Sequence, residues 1–258
     1  MSTPKGIRYI PAIDGLRAIA VISVILYHLG LKWIPGGFLG VDLFFVISGY
    51  VITRLLLDSI QRSGGLDLKG FYVGRIRRLL PPLVFMLIIT TFYVGVFAPD
   101  SIKRLLTDTP FALSGLMNWW LVFKHQDYFE SFGRPPLLQH TWSLGVEAQF
   151  YLFWPFIVYW LSRRALLKLT ITLVLAGPII RIGQYCLVTS RPELFQMPEF
   201  VIYYSPLSHI DAFAIGAVLC LMPTRNTVTM LHFLLAIFAA ALLGFLIGGN
   251  WQAAVYVF

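Results

Sequence analysis

The chain has 258 residues, of which 58% are hydrophobic and 12% are charged, and its formal net charge is +8. This balance excludes an ordinary soluble domain and predicts an all-α polytopic membrane protein, a bundle of transmembrane helices. The positive charge does not indicate a nucleic-acid partner, because Lys and Arg collect in the loops, where they set membrane orientation.

Seven apolar runs approach the length that crosses a bilayer, and an eighth begins near the end of the chain. Lys5 and Arg8 precede the first run as in a signal peptide, but no small-residue cleavage pattern follows, so we expect the first span to be retained. Because the sequence stops inside the eighth run, residues 1–258 are predicted to form a single domain that is truncated at its carboxyl end. The predicted spans are 18–31, 38–57, 79–97, 144–161, 166–188, 207–222 and 228–247.

The most basic loop lies between the second and third predicted spans, and the positive-inside rule places it in the cytoplasm with the amino terminus. Segment 105–123 is also apolar, but it contains Asp108, Pro110 and Asn118, which indicate a re-entrant or interfacial segment. If this segment does not cross, the basic loop after the fourth predicted span is cytoplasmic too, as the charge rule favours. The basic loop between the second and third spans holds Arg54, Arg62, Lys69, Arg75, Arg77 and Arg78.

A row of polar side chains stands at the entrance of the fourth predicted span. His140, Ser143, Glu147 and Tyr151 are spaced i, i+3, i+7 and i+11, so a helix would present all four on one face. A carboxylate at bilayer depth is tolerated only toward a protein interior or a water-filled cavity. Glu147 is therefore predicted to line a pocket, although an acid near a helix start also favours the helix dipole.

Arg17 and His28 are eleven residues apart in the first predicted span, which places them on one helical face about 16 Å apart. With a cytoplasmic amino terminus, His28 lies near the outer end, where Asp42 opens the second span. Glu147 enters from the same side if segment 105–123 does not cross. We expect His28 to act as a general base, with Asp42 or Glu147 orienting its imidazole. The alternatives are a structural histidine and an Asp42 that only caps its helix.

Four motifs follow one another in a recognisable order. They are Arg17 followed by ten residues and His28, GVDLFFVISGY at 40–50, Arg75-x-x-Arg78, and TWSLGVEAQFY at 141–151. In order and spacing they resemble the membrane acyltransferase 3 family, bacterial integral-membrane O-acyltransferases of envelope polysaccharides. The motifs cover roughly the first 160 residues. The family's domain has about ten spans, so the resemblance implies that this chain is an incomplete version of it.

The resemblance implies that acetyl-coenzyme A is the acyl donor. Arg75 and Arg78 would then bind the donor's phosphates from the cytoplasm, because guanidinium groups form charge-assisted, bidentate hydrogen bonds with phosphates. Arg17 would support the donor or the pore. Taken alone, the Arg75 and Arg78 pair indicates only orientation or a lipid headgroup contact. No metal is expected, because Cys186 and Cys220 have no Cys-x-x-Cys spacing and no neighbouring histidine.

The resemblance therefore implies an O-acetyltransferase of the bacterial inner membrane that acts on a hydroxyl of an envelope polysaccharide or lipopolysaccharide. Its catalytic set is His28, Asp42 and Glu147, while His140, Ser143 and Tyr151 line the substrate pocket. Its partners are the bilayer, acyl-coenzyme A and the glycan acceptor. The alternatives are acylation of a small lipophilic acceptor such as a macrolide, and a transporter or flippase without chemistry. Interrupted helices at matching places in two halves would favour transport, and none is apparent.

Overall fold

The computed structural model describes residues 10–31, 36–123, 136–191 and 198–222. In these ranges the chain forms nine α-helices joined by short 3-10 turns, and it contains no strand. The all-α class predicted from composition is therefore confirmed for this part of the chain. The helices are α1 Pro11–His28, α2 Gly40–Ser63, α3 Leu68–Phe97, α4 Ile102–Ser114, α5 Met117–Phe123, α6 Trp142–Trp160, α7 Arg163–Thr189, α8 Pro198–Tyr204 and α9 Ile210–Leu221.

Four of the described helices are long and apolar enough to cross a membrane, namely α1, α2, α3 and α7. Together they make the described part of the chain a polytopic helical assembly. Helix α6 has 19 residues but carries polar side chains along one face, and α9 has 12 residues. Three predicted features lie outside the described residues. They are the seventh span at 228–247, the eighth run that begins after it, and the basic residues Lys5 and Arg8.

Helix α3 begins earlier than the apolar pattern predicts. The span was expected at 79–97, but the helix starts at Leu68, where the Asp67 side chain accepts a hydrogen bond from the backbone N–H of Gly70 at 2.9 Å. An aspartate at this position satisfies one of the free N–H groups of a first helical turn. As a result, Arg75 and Arg78 project from a helix and not from a loop.

Segment 105–123 forms two short helices and not one continuous helix. Helix α4 ends at Gly115, whose φ of +70° lies in the left-handed region that favours glycine at helix ends. Helices of 13 and 7 residues extend only about 20 and 10 Å, less than the roughly 30 Å of a hydrocarbon core. Asp108 is buried and accepts a hydrogen bond from the Trp120 indole at 2.8 Å, so its polar group is satisfied.

Helices α2 and α9 cross in direct backbone contact because glycines lie at the crossing. A Cβ atom on Gly49 would overlap the carbonyl oxygen of Phe213, and one on Gly216 would overlap that of Val46. Small residues allow such approaches between helices in membranes. Next to this crossing, Arg181 of α7 donates to both carboxylate oxygens of Asp211 at 3.0 and 2.8 Å. The ion pair fixes α7 against α9.

We expect Gly49→Ala to destabilise the protein, whereas Gly95→Ala stabilises it. Alanine in a helix interior normally gains roughly 0.5–1 kcal/mol over glycine, and nothing lies within 4 Å of the Cβ position at Gly95. At Gly49 the added methyl group must push α9 away, at a cost of about 1–3 kcal/mol. Thermal unfolding of the two variants in detergent measures the difference. A Gly49→Ala protein as stable as the wild type would contradict the close crossing.

Candidate active site

A cavity of about 490 Å³ lies between α1, α2, α3 and α6, a volume in the range of small-molecule sites. Its two ends differ in chemistry. His28 and His140 lie at one end, and Arg17, Arg75 and Arg78 lie at the other. The polar side chains that line the cavity are Arg17, His28, Ser48, Arg75, Arg78, Gln139, His140, Ser143, Glu147 and Tyr151.

The four residues of the polar row on α6 all face this cavity. His140 lies in the 3-10 turn Gln139–Thr141, directly before α6, and Ser143, Glu147 and Tyr151 follow on the helix. The helical period that groups them in the sequence therefore groups them in space. Gln139 and Tyr203 also line the cavity, and sequence reasoning missed both. Gln139 could have been found as the neighbour of His140, but Tyr203 reaches the site only through the tertiary fold.

His28 is the last residue of α1 and stands exposed at the cavity mouth. Its Nδ1 lies 2.8 Å from the backbone carbonyl oxygen of Val24. Because a carbonyl oxygen only accepts hydrogen bonds, Nδ1 carries the proton, and in the neutral ring Nε2 holds the free lone pair. The backbone of α1 thus orients the imidazole and leaves Nε2 available to accept a proton.

The His140 ring packs edge to face against the His28 ring, with the ring centroids 4.9 Å apart. Burial lowers the pKa of the His140 imidazole, and the adjacent His28 lowers this pKa further. His140 is therefore neutral near pH 7 and can donate or accept a hydrogen bond beside the proposed base. The two rings form an imidazole pair at the cavity mouth.

Glu147 lies deeper in the cavity and is held by two hydroxyl groups. Ser48 of α2 and Tyr151 of α6 both donate to its Oε1, and the Tyr151 hydroxyl lies 3.4 Å from Ser48 Oγ. Ser48 could not be placed at the site from the sequence, because it stands beside Gly49 among the small residues of the α2 crossing. Its 99-residue separation from Glu147 is bridged only by tertiary packing.

The arginines occupy the other end of the cavity. Arg75 is half-buried, its guanidinium lies 5.9 Å from the Phe71 ring centroid, and it interacts electrostatically with Tyr151 and Glu147. Its buried Nε has no hydrogen-bond partner among the described residues. Arg17 donates to Asp14 at 3.1 Å and also lines the cavity. This end can therefore attract an anionic ligand, since three arginines line it.

The expected pairing of Asp42 with His28 is not seen among the contacts of the described residues. Asp42 accepts a hydrogen bond from His209 Nδ1 at 2.8 Å and does not line the cavity. The reason is helical rotation, because α2 turns Val41, Phe44, Phe45 and Ser48 toward the cavity and Asp42 away from it. The partners of Glu147 in this structure are Ser48 and Tyr151, which both donate to its Oε1.

Comparisons with known proteins show what the chain is similar to. A family model described as an acyltransferase domain matches residues 10–256, so the similarity extends well beyond the first 160 residues. The chain is 44% identical over 177 residues to the peptidoglycan O-acetyltransferase OatA of Listeria monocytogenes serovar 1/2a, which covers 67% of this chain and 28% of that protein. It is also 44% identical over 157 residues to the O-acetyltransferase OatA of Staphylococcus aureus strain NCTC 8325. That alignment covers 61% of this chain and 26% of the relative.

The chain therefore matches only about a quarter of the length of these two relatives, 28% and 26%. No solved structure matches the chain.

Proposed function

Because the chain belongs to the family of the acyltransferase domain, which matches residues 10–256, we propose that it transfers an acetyl group to a hydroxyl of an envelope polysaccharide. The observation that carries this proposal is the polarity of the cavity. It has an oriented imidazole at one end and arginines at the other, as acyl transfer from a phosphorylated donor requires.

The acceptor that the relatives' names support is peptidoglycan. The Listeria relative is a peptidoglycan O-acetyltransferase, and both relatives are O-acetyltransferases. Among envelope polysaccharides, peptidoglycan is thus the acceptor to test first. The acceptor hydroxyl would enter at the cavity mouth, where Gln139, His140 and Ser143 offer polar groups beside His28.

The donor in this proposal is acetyl-coenzyme A. Its phosphates would bind Arg75 and Arg78, and Arg17 would support the arm of the donor as it passes along α1. Arg17 and His28 are separated by about 16 Å of helix, so an extended pantetheine arm can carry the thioester to the imidazole. Glu147 would hold Arg75 in place through their electrostatic contact and would not act on the acceptor.

The transfer itself needs no covalent enzyme intermediate. His28 Nε2 takes the proton of the acceptor hydroxyl while the hydroxyl oxygen bonds to the thioester carbonyl carbon. The C–S bond then breaks, and the proton on His28 passes to the coenzyme A thiolate as it leaves. The products are the acetyl ester and free coenzyme A, and the imidazole returns to its starting state.

This chemistry implies an orientation in the bacterial inner membrane. Acetyl-coenzyme A is a cytoplasmic metabolite, so the arginine end would face the cytoplasm along with the amino terminus. The positive-inside rule supports the same arrangement, because Arg62, Lys69, Arg77 and Arg78 cluster around the junction of α2 and α3. His28 would then stand toward the outer surface, where the glycan is.

The experiment compares peptidoglycan from cells with and without the gene and then supplies membranes with acetyl-coenzyme A labelled in the acetyl group. We expect the gene to add base-labile acetyl units to the glycan and the membranes to transfer the label. Coenzyme A labelled outside the acetyl group serves as the control and should leave the glycan unlabelled. Unchanged glycan, with the protein present in the membrane, would refute the proposal and favour passage without chemistry.

A further inference from the structure

A carboxylate–imidazole pair lies just behind the cavity wall at the His28 end. Asp42 Oδ1 is 2.8 Å from His209 Nδ1, and His209 Nε2 is 2.9 Å from the carbonyl oxygen of Tyr203. These contacts join α2, α8 and the turn before α9. The two residues of the pair are 167 positions apart in the chain.

The His209 ring therefore has a hydrogen-bond acceptor at each nitrogen. The Tyr203 carbonyl requires a proton on Nε2, and a carboxylate facing Nδ1 requires a second proton between the two groups. The ring is 6% exposed, and its centroid is 5.1 Å from that of Phe45 and 5.3 Å from that of Trp142. Aromatic rings at these distances stabilise an imidazolium. Asp42 is its counter-ion, because the next carboxylate, Asp211, is held by Arg181.

Each aromatic neighbour of this ring forms part of the cavity wall. Phe45, Trp142 and Tyr203 all line the cavity, and Trp142 follows His140 by two residues at the start of α6. Tyr203 is held through its carbonyl, and Trp142 and Phe45 are held by packing on the His209 ring. The position of this buried ring thus sets the position of the wall beside the imidazole pair.

We propose that Asp42 and His209 are positioning residues of the transfer reaction, which fix the acceptor end of the cavity and not the donor end. This inference rests on the proposed acetyl transfer. It replaces the direct contact with His28 that the sequence suggested for Asp42. Loss of the pair should misplace the wall by a fraction of an ångström to an ångström, and a 1 Å error at a reacting group costs up to about 10²-fold in rate.

The test compares Asp42→Ala with Asp42→Asn in membranes that contain the whole protein. An asparagine N–H can donate to the Nδ1 of a neutral His209, whose Nε2–H still donates to Tyr203, so every group stays satisfied. Alanine leaves Nδ1 without its partner. We expect Asp42→Ala to lower acetyl transfer by about tenfold or more, chiefly by raising the acceptor concentration required, and Asp42→Asn to restore most of it.

Two controls separate this inference from others. Asp58→Ala removes a carboxylate from the same helix outside the cavity lining and should leave transfer unchanged. His28→Ala tests the proposed reaction itself and should abolish the transfer signal. The Asp42 variants are therefore measured in the same assay, with His28→Ala as the inactive reference. His209→Ala should reproduce the Asp42→Ala defect, with acetyl-coenzyme A binding unchanged in both.

Two results would overturn the proposal. Equal losses in the Asn and Ala variants at normal membrane abundance would show that the negative charge of Asp42 acts by itself. Transfer by Asp42→Ala equal to that of Asp58→Ala would show that the pair does not position the cavity. If Asp42→Ala does not accumulate, the comparison of Asp42→Asn with His209→Ala decides, because positioning requires the former to be active and the latter defective.

Discussion

Replacement of His28 by alanine is expected to lower acetyl transfer by roughly 10²–10⁴-fold, the contribution of a positioned general base. The Val24 carbonyl fixes the Nδ1 proton, so Nε2 is the only ring atom that can take the acceptor's proton, and alanine has no substitute for it. The loss should fall on kcat, because the base acts in the transition state, and little on the binding of either substrate. The measurement is labelled acetate on the glycan at saturating donor.

Two further variants make this result specific to proton transfer. His28→Gln keeps a hydrogen-bonding side chain of similar length but cannot serve as a base, so we expect it to be as inactive as the alanine variant. Ile22→Ala changes an exposed position on the same helix that does not line the cavity, and it should transfer acetyl groups normally. An active His28→Gln protein would remove His28 from the proton-transfer step and leave it a binding role.

The local part of this site could be predicted from the sequence. The row of His140, Ser143, Glu147 and Tyr151 follows from the 3.6-residue period of a single helix, and the structure places all four on one cavity. The same local geometry would have found the partner of His28, since Val24 lies one turn before it. We instead expected a carboxylate, because acidic residues commonly orient catalytic imidazoles.

The tertiary part could not be predicted. Asp42 was assigned to the correct end of its helix, but its rotation away from the cavity depends on how α2 packs against α1 and α9. Glycines lie at those contacts, but a glycine in the sequence does not indicate which helix will pack against it. Each acid has a partner that is distant in sequence: His209 lies 167 residues from Asp42, and Ser48 lies 99 residues from Glu147. Hydrophobic periodicity predicts helices and their apolar faces, but it does not predict which faces pack together.

The start of α3 shows a second kind of miss. A hydropathy window ends where charges begin, so it began the span at Leu79 and left Arg75 and Arg78 in the basic loop, although their spacing indicates one helical face. Arginine is a good helix former, however, and the helix continues back to its Asp67 cap. This matters for function, because two arginines three residues apart project from one helical face in fixed directions. A loop would hold them less rigidly for recognition of phosphate.

Arg75→Ala is accordingly expected to raise the KM for acetyl-coenzyme A by about 10–100-fold with a smaller change in kcat. Hydrogen bonds to charged groups contribute roughly 1.5–3 kcal/mol each, which corresponds to that range. Arg75 is the strongest candidate of the three arginines, because it is half-buried, lies near Glu147 and Tyr151, and has an Nε without a partner in the described ranges. The measurement is the donor dependence of label transfer in membranes at a fixed acceptor concentration.

Arg77→Ala is the matched control for this prediction. It removes the same charge from the same helix two residues away, but Arg77 does not line the cavity, so its variant should keep the wild-type KM. Arg75→Lys keeps the charge without the planar pair of donors and should restore only part of the affinity. If Arg75→Ala and Arg77→Ala raise the KM equally, the basic cluster acts through its general field or through orientation, and the donor site must lie elsewhere.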